Sequence, residues 1–298
     1  MKKENNSYLV TIGIPFYNSE KYLTYAINSV LLQSYTNWEL LLMDDGSSDN
    51  SLNIAKSFEK KDRRIKVYSD GNNSKLPFRL NQLSNLAKGK FYARMDADDM
   101  MHPERIETQI NYLISNPEID LVGTGLVSID GANRIIGIRK GYTSANFTKK
   151  EILSGNWCVH PTIMGKSDWF KKNKYDVNLT RTEDFDLWIR TIDNSKFSKI
   201  DFLGLYYREE SELSLKKYIT STRQSLKLFW KNRKIIGISK SIYYSIEKLF
   251  KMLIYLFFEY SGLMEIIVKR RSDSISKTAI KSHNKIINKI MVYKIEQY

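Results

Sequence analysis

Carboxylates follow two of the apolar runs in the first hundred residues. Asp44 and Asp45 come after WELLLM, and Asp96, Asp98 and Asp99 come after FYARM. If both runs are strands of one parallel sheet, the five carboxylates share an edge and repel one another unless a cation or hydrogen-bond donors lie among them. Any metal ion bound there would sit on oxygen ligands, which Mg²⁺ and Mn²⁺ prefer.

The elements that would position these carboxylates alternate between strand and helix. Apolar runs predict strands at 8–16, 38–43, 65–69 and 91–95, and helical spacing predicts helices at 19–33, 49–60 and 77–88. This alternation is typical of a parallel sheet covered on both faces, which binds ligands at the carboxyl ends of its strands. No glycine-rich dinucleotide or P-loop motif follows the first strand, which argues against those two kinds of site.

The second half keeps the α/β character. We expect a helix at 104–115, a hairpin of strands at 119–129 and 134–138 joined by DGAN, a strand at 159–164, a helix at 183–193 and a strand at 200–207.

The composition excludes several classes of protein. Hydrophobic residues make up 42% of the 298 residues, so the chain is not disordered as a whole. Its only cysteine, Cys158, cannot form an intrachain disulfide, and three scattered histidines argue against a His/Cys metal cluster. The start MKKENNSYLV lacks the apolar run of a signal peptide, so we expect a cytoplasmic protein.

Positive charge is concentrated at the C-terminal end. Residues 1–213 carry 29 Lys and Arg against 28 Asp and Glu, whereas residues 214–298 carry 18 against 5. A basic segment of this kind indicates an anionic partner, such as nucleic acid or an acidic membrane surface, unless the charge only confers solubility.

Five segments with motif-like patterns follow one another along the chain: VTIGIPFYNSEKYL, WELLLMDDGSSDNS, AKGKFYARMDADDMMHPER, HPTIMGKSDWF and TEDFDLWIR. Together they resemble the family 2 glycosyltransferases, which have a GT-A fold, and in particular the bacterial enzymes that build surface polysaccharides. The resemblance covers roughly residues 8–214. It implies a GT-A domain at 1–213, with a nucleotide-binding half at 1–103 and an acceptor half at 104–213, followed by a basic helical tail at 214–298.

The resemblance implies inverting transfer of a hexosyl or N-acetylhexosaminyl group from a nucleotide-diphosphate sugar, most commonly a UDP-sugar. A divalent cation, Mn²⁺ or Mg²⁺, would neutralise the diphosphate leaving group. By this match Asp98 is the direct metal ligand and Asp96 contacts ribose or metal. Asp99 could instead cap the following helix.

Further residues match the nucleotide side of the family's site. Asp45 resembles the residue that accepts a hydrogen bond from the base; alternatively, Asp44 and Asp45 simply cap the helix after Ser47. Pro15 and Tyr17 resemble residues that line the nucleoside pocket; alternatively, they serve only the turn and core packing. Arg79 lies near a nucleotide-contacting arginine, although the local spacing differs by one residue.

The match also assigns the acceptor side. An inverting displacement needs a base that takes the acceptor's hydroxyl proton, and Asp184 matches that base; Glu183 would orient it or cap the helix. Arg208 resembles a residue that reaches the diphosphate, but Glu210 stands where many relatives have histidine. His160 matches an acceptor-side motif or has a structural role.

The tail contains an apolar segment at 249–268 that is long enough to span a membrane. Its charges fall on one side of a helical wheel: Glu247, Lys248, Lys251, Glu259, Glu265 and Lys269. An amphipathic helix in the membrane interface fits better, with the basic residues 269–271 meeting anionic headgroups, and a second helix is expected at 277–295. Alternatively, the tail packs on the body or forms a homodimer.

We therefore expect a peripheral enzyme on the inner face of the cell membrane, acting on a glycan or lipid-linked acceptor without binding nucleic acid. Two alternatives remain: a nucleotidyltransferase-like enzyme, which leaves TEDFDLWIR and HPT unexplained, and a nucleic-acid-binding protein using the tail, which shows no recognised module for that purpose.

Overall fold

The computed structural model describes residues 8–141, 147–154, 157–209, 215–262 and 273–294. Within these residues, nine strands form one mixed sheet in the order β3-β2-β1-β4-β8-β6-β9-β5, with β7 paired to β6. The strands are β1 (Val10–Phe16), β2 (Trp38–Asp44), β3 (Ile65–Tyr68), β4 (Phe91–Arg94), β5 (Met100–Met101), β6 (Leu121–Ile129), β7 (Ile135–Arg139), β8 (Met164–Lys166) and β9 (Phe197–Arg208).

Helices cover the faces of this sheet and form most of the tail. They are α1 (Leu23–Leu31), α2 (Ser51–Glu59), α3 (Leu76–Leu86), α4 (Arg105–Ser115), α5 (Lys149–Leu153), α6 (Ser167–Lys172), α7 (Glu183–Thr191), α8 (Leu215–Lys231), α9 (Arg233–Ile236), α10 (Ile238–Tyr260) and α11 (Lys277–Val292).

The predicted parallel half of the sheet is confirmed. Strands β3, β2, β1 and β4 are adjacent and parallel, and Phe16 at the end of β1 pairs with Asp44 at the end of β2. All seven residues of β1 are buried because helices cover both faces of the sheet. The carboxyl ends of β1, β2 and β4 therefore meet at one edge, where the sequence places its carboxylates.

The other half differs from the prediction in two places. The expected strand at 159–164 is wrong: His160–Thr162 form a short 3-10 helix, and β8 begins only at Met164. Pro161 accounts for this because it has no N–H to donate to a sheet ladder. The sequence also gave no sign of β5, two residues that pair antiparallel with β9 directly after the Asp96–Asp99 segment. The hairpin of β6 and β7 is confirmed.

The tail contributes to the hydrophobic core. Leu228 and Phe229 of α8 pack with Ile189 of α7, and Ile287 and Ile290 of α11 pack in a cluster with residues of β5, β6 and β9. The amide of Asn28 on α1 donates to the Ile290 carbonyl, 3.1 Å away, and so ties α11 to the body. The expected helix at 277–295 is thus present, ends at Val292 and packs on the body.

Helix α10 has its polar face inside and its apolar face outside. Ser241, Tyr244 and Tyr255 are buried toward α8, and Tyr255 stacks on Tyr218 with ring centroids 4.1 Å apart. Ten large apolar or aromatic side chains are exposed on the opposite side: Ile238, Ile242, Tyr243, Ile246, Leu249, Phe250, Leu253, Ile254, Phe257 and Tyr260. At 100° per residue they occupy an arc of about 160°.

The expected helix over 249–268 is confirmed only as far as Tyr260, and Glu265 and residues 269–271 lie outside the described residues. Among the helices that the structure describes, none is long and apolar enough to cross a membrane.

Candidate active site

Three carboxylates converge just beyond β4. One oxygen from each of Asp96, Asp98 and Asp99 lies within 4.8 Å of the others. The Asp98 side chain is exposed, that of Asp96 is partly exposed, and Asp99 is buried. The cluster combines one exposed carboxylate with two that are hydrogen-bonded to other protein groups. Its donor atoms are all oxygens, which suits Mg²⁺ or Mn²⁺. Asp96, Asp98 and Asp99 would hold such an ion.

The pKa values of two carboxyl groups in this cluster, those of Asp98 and Asp99, are raised. The pKa of Asp98 is raised to about 6, first by the loss of solvation among crowded protein atoms and then by the Asp96 charge. The pKa of Asp99 is raised well above its usual value, again first by burial and then by its two neighbours. Oδ2 of Asp99 is buried without a hydrogen-bond partner among the described residues. A divalent cation would relieve both the repulsion and the unsatisfied oxygen.

Arg94, the last residue of β4, is a candidate site residue that the sequence reasoning missed. It is 2% exposed, and its guanidinium donates to both carboxylate oxygens of Asp96, with Nη1 2.8 Å from Oδ2. Its charge also acts on Glu183 and Asp184, where it lowers each pKa against the larger effect of burial. Arg94 is therefore paired with Asp96, and its positive charge also acts on Glu183 and Asp184. An arginine inside the apolar run FYARM was the available signal, since a buried guanidinium needs a carboxylate partner.

Asp99 does not cap the following helix, so that alternative is wrong. Its Oδ1 accepts a hydrogen bond from the backbone N–H of Arg208 at 2.9 Å, and α4 begins at Arg105 without a side-chain cap. Asp99 therefore fastens the end of β9 to the carboxylate cluster.

Arg208 lies beside the cluster, and protein groups engage its guanidinium. It donates to the carbonyls of Asp98 at 2.9 Å and Asp130 at 2.6 Å and to the Asn133 side chain at 2.7 Å, and it stacks over Tyr22 at 3.8 Å. A guanidinium has five N–H donors. Three of the five have partners among the described residues, and because Arg208 is only 7% exposed, the expected diphosphate contact stays a prediction. Glu210 lies outside the described residues.

Glu183 and Asp184 stand at the first turn of α7. Glu183 is 6% exposed, and its pKa is raised to about 7, first by burial and then by the Asp184 charge. Burial also raises the pKa of Asp184, although Asp184 is partly open to solvent. Oε2 of Glu183 has no partner among the described residues, while Oδ1 of Asp184 accepts from the Phe185 N–H at 2.7 Å. Asp184 is thus the more accessible proton acceptor, and Glu183 is its buried neighbour.

Asp45, directly after β2, accepts hydrogen bonds from the loop before α3. It accepts from the backbone N–H groups of Ser74 at 2.7 Å and Lys75 at 3.1 Å and from the Arg79 guanidinium at 2.8 Å. Arg79 is 1% exposed and pairs with Asp70 as well. A carboxylate has about four acceptor positions, and these donors occupy three of those of Asp45. Arg79 acts on Asp45 rather than standing free to meet a nucleotide.

Close backbone contacts fix the loop beside Asp45. Gly46 has a φ of +74°, and a Cβ there would lie 2.9 Å from the backbone of Asn72, so a side chain is excluded at this position. Asp44 caps no helix: its Oδ1 accepts from the Ser47 N–H at 3.0 Å and closes a turn. The capping alternative for Asp44 is therefore wrong.

The first-strand residues take two different positions. Pro15 is buried within β1 next to Met43, whereas Tyr17 is 50% exposed just beyond the strand. Tyr17 is therefore accessible to a ligand at the carboxyl edge, and Pro15 shapes the strand end behind it.

His160 is buried on the 3-10 helix, and its Nε2 lies 2.9 Å from the Tyr175 hydroxyl. Burial holds the pKa of His160 well below its usual value, so the ring is neutral at physiological pH. This environment favours the structural alternative for His160.

The sequence matches a known protein family. The sequence model described as Glycosyl transferase family 2 matches residues 11–175, more than half of the chain. This chain belongs to glycosyltransferase family 2. Family membership favours glycosyl transfer over the nucleotidyltransferase alternative.

Two relatives are similar to this glycosyltransferase over most of its length. An uncharacterised glycosyltransferase of Methanocaldococcus jannaschii is 32% identical over 268 residues, which cover 86% of this chain and 91% of the relative. WfgD of Escherichia coli, a UDP-Glc:α-D-GlcNAc-diphosphoundecaprenol β-1,3-glucosyltransferase, is 31% identical over 74% of this chain and 85% of its own.

Solved structures confirm the GT-A fold of this glycosyltransferase. TarS of S. aureus, in complex with UDP-GlcNAc, matches 81% of this chain and 72% of its own with a TM-score of 0.61 at 17% identity. The mannosyltransferase PcManGT of Pyrobaculum calidifontis, in complex with GDP-Man and Mn²⁺, matches 95% of this chain and 85% of its own with a TM-score of 0.59 at 9% identity.

Proposed function

We propose that this glycosyltransferase moves a sugar, with inversion, from a nucleotide-diphosphate sugar to a glycan or lipid-linked glycan during surface polysaccharide assembly. The observation that carries the proposal is the meeting of Asp96, Asp98 and Asp99 at the carboxyl edge of the sheet, where Arg94 pairs with Asp96. The bound ion supplies positive charge against a departing diphosphate. Asp184 takes the proton of the acceptor hydroxyl.

A uridine donor is the version that we propose first. Asp45 keeps one acceptor position, which suits a ring N–H such as that of uracil. Tyr17 is exposed at the same edge and can contact the nucleoside. WfgD, whose name specifies UDP-Glc, supports this choice. Pro15, Asp96 and Arg208 complete the proposed donor site.

The experiment is a panel of UDP-, GDP- and dTDP-sugars, each scored for release of nucleoside diphosphate with Mn²⁺ or with excess EDTA. We expect turnover of a UDP-sugar that EDTA abolishes. Asp98→Ala should lose this turnover and keep its fold, since it removes an exposed carboxylate and no core volume. Asp168→Ala, which removes an acidic side chain from the first turn of α6, is the control and should keep activity. Full activity of Asp98→Ala, or of wild type in EDTA, would refute the metal assignment.

Helix α10 supports a peripheral position on an anionic leaflet of the cell membrane. Its ten exposed apolar side chains form one continuous face, and Trp230 nearby is 58% exposed with Arg233 over its ring at 4.8 Å. Lys234 and Lys240 are exposed around the start of α10. An apolar face next to cationic side chains fits anionic headgroups above acyl chains.

Vesicle binding tests this position directly. The protein should pellet with vesicles of phosphatidylglycerol and phosphatidylcholine and be partly released by salt, because salt screens charge and leaves apolar contacts intact. Phe257→Glu should weaken pelleting, whereas Ile136→Glu, at an exposed apolar site on β7, should not. Equal pelleting of Phe257→Glu and wild type would contradict the proposal, as would a dimer that Phe257→Glu dissociates. The core contacts of α8 and α11 make these point variants cleaner than deletion of residues 214–298.

A further inference from the structure

A cavity of about 220 Å³ lies between the start of α7 and the inner faces of α8 and α10. Asp184 is part of its wall, together with Thr182, Ser221, Ser225, Arg181 and the α10 residues Glu247, Lys248 and Lys251. The polar side of α10 therefore faces the proposed catalytic base, while the apolar side of the same helix faces outward. A water molecule occupies about 30 Å³ of liquid, so the cavity has room for a group of several heavy atoms.

Cations outnumber anions in this wall. Arg181, Lys248 and Lys251 face Glu247 and Asp184, and Lys251 forms an ion pair with Glu247. Lys248 has no ion-pair partner among the described residues. Burial, and next the Lys251 charge, lowers the pKa of Lys248, and the Glu247 charge offsets this only in part.

Hydrogen-bond donors accompany this cation. The Thr182 hydroxyl is buried without a partner among the described residues, and Thr182 is 4% exposed at the cavity wall. Ser225, 3% exposed, adds a second hydroxyl from α8. Buried hydroxyl groups usually have partners. A cavity wall that holds both an unpartnered hydroxyl and an ammonium group without an ion-pair partner among the described residues suits a ligand with several acceptor oxygens and negative charge.

We propose that this cavity binds a phosphate-type group of the acceptor, with Lys248 and Arg181 as the cations that contact it. The inference rests on the proposed function, since it names the acceptor as one whose sugar is attached to a phosphate or diphosphate. Binding there places the acceptor sugar next to Asp184. The outer face of α10 then lies where a lipid attached to the same diphosphate enters the membrane, so one helix serves both parts of the acceptor.

The donor carries a diphosphate as well, and the two sources are separated by metal dependence. The donor diphosphate needs the ion at Asp98, whereas the cavity uses protein cations. The probe is therefore undecyl diphosphate, titrated calorimetrically into full-length protein in excess EDTA, with the neutral undecyl maltoside as the matched lipid control.

We expect wild type to bind undecyl diphosphate and Lys248→Met to bind it at least tenfold more weakly, the effect of losing one hydrogen bond to a charged group. Arg181→Gln, at an exposed position, should weaken binding in the same direction and guards against a folding defect of Lys248→Met. Lys227→Met is the control on α8, because Lys227 is exposed and is not part of the cavity wall, and it should bind like wild type.

Two results would overturn the inference: wild type that binds undecyl maltoside as tightly as undecyl diphosphate, or Lys248→Met and Arg181→Gln that both match wild type. Failure of the proposed function is a separate result. In that case the protein releases nucleoside diphosphate from no donor of the panel, whatever it binds in EDTA.

Discussion

Glu183 should make the metal-free enzyme less stable as the pH rises. In the unfolded chain this carboxyl ionises near 4.5, whereas in the folded protein burial and the Asp184 charge raise its pKa to about 7. Between these values the folded state binds more protons than the unfolded state, so each step up in pH favours unfolding. The stabilisation is fully present below about 4.5 and is lost as the pH passes through about 7.

The magnitude follows from the two pKa values. A change from 4.5 to about 7 corresponds to about 3 kcal/mol, and most of it is lost between pH 5 and pH 8. Glu183→Gln keeps the shape and removes the titration. Relative to this variant, wild type should lose roughly 5 °C of melting temperature between the two pH values.

The assay is thermal unfolding in EDTA at pH 5 and pH 8, followed by circular dichroism. The exposed substitution Glu118→Gln is the control and should follow wild type. If wild type and Glu183→Gln lose the same melting temperature between the two pH values, Glu183 is not the buried, proton-retaining carboxyl described above.

Three further predictions concern the base, Arg94 and the tail. Asp184→Asn should slow sugar transfer by ~10²–10⁴-fold, the usual contribution of a general base, with little change in donor affinity measured by calorimetry; a loss confined to donor affinity would move the role to Glu183. Arg94→Met leaves Asp96 without its ion-pair partner and should lower the free energy of unfolding by up to ~3–5 kcal/mol in urea titration, while an unchanged midpoint would contradict the pairing. Ile290→Ala, at a fully buried tail residue, should cost ~2–5 kcal/mol in the same titration, and a cost near zero would show that α11 is not part of the core.

The position of the carboxylates at one edge of the sheet was predictable, because the end of an apolar run and the polar residues after it are local features of the sequence. An apolar run that stops at Asp44 or Asp96 marks both the strand and its end, and parallel pairing brings such ends together. Helix α7 was equally local, with three acidic residues in its first turn.

Long-range pairing and orientation were beyond such reasoning. The contact of Asp99 with Arg208 joins residues 109 positions apart, and β5 has only two residues, too few for a period to be read. Periodicity predicted the two faces of α10, and the favoured interpretation turned the apolar face toward a membrane, but it could not show what the charged face contacts. The rule that apolar faces turn inward fails for this helix, since its charged face lines the cavity beside Asp184.

Binding of Mn²⁺ is the measurement that tests the central claim most directly. The electron paramagnetic resonance signal of free Mn²⁺ should fall on addition of wild-type protein with UDP, below its level with UDP alone, because Asp96, Asp98 and Asp99 hold the ion. Asp98→Ala should leave the signal at the level of UDP alone. A wild-type protein that does not reduce the signal, or an Asp98→Ala variant that reduces it fully, would contradict a metal-dependent donor site at the end of β4.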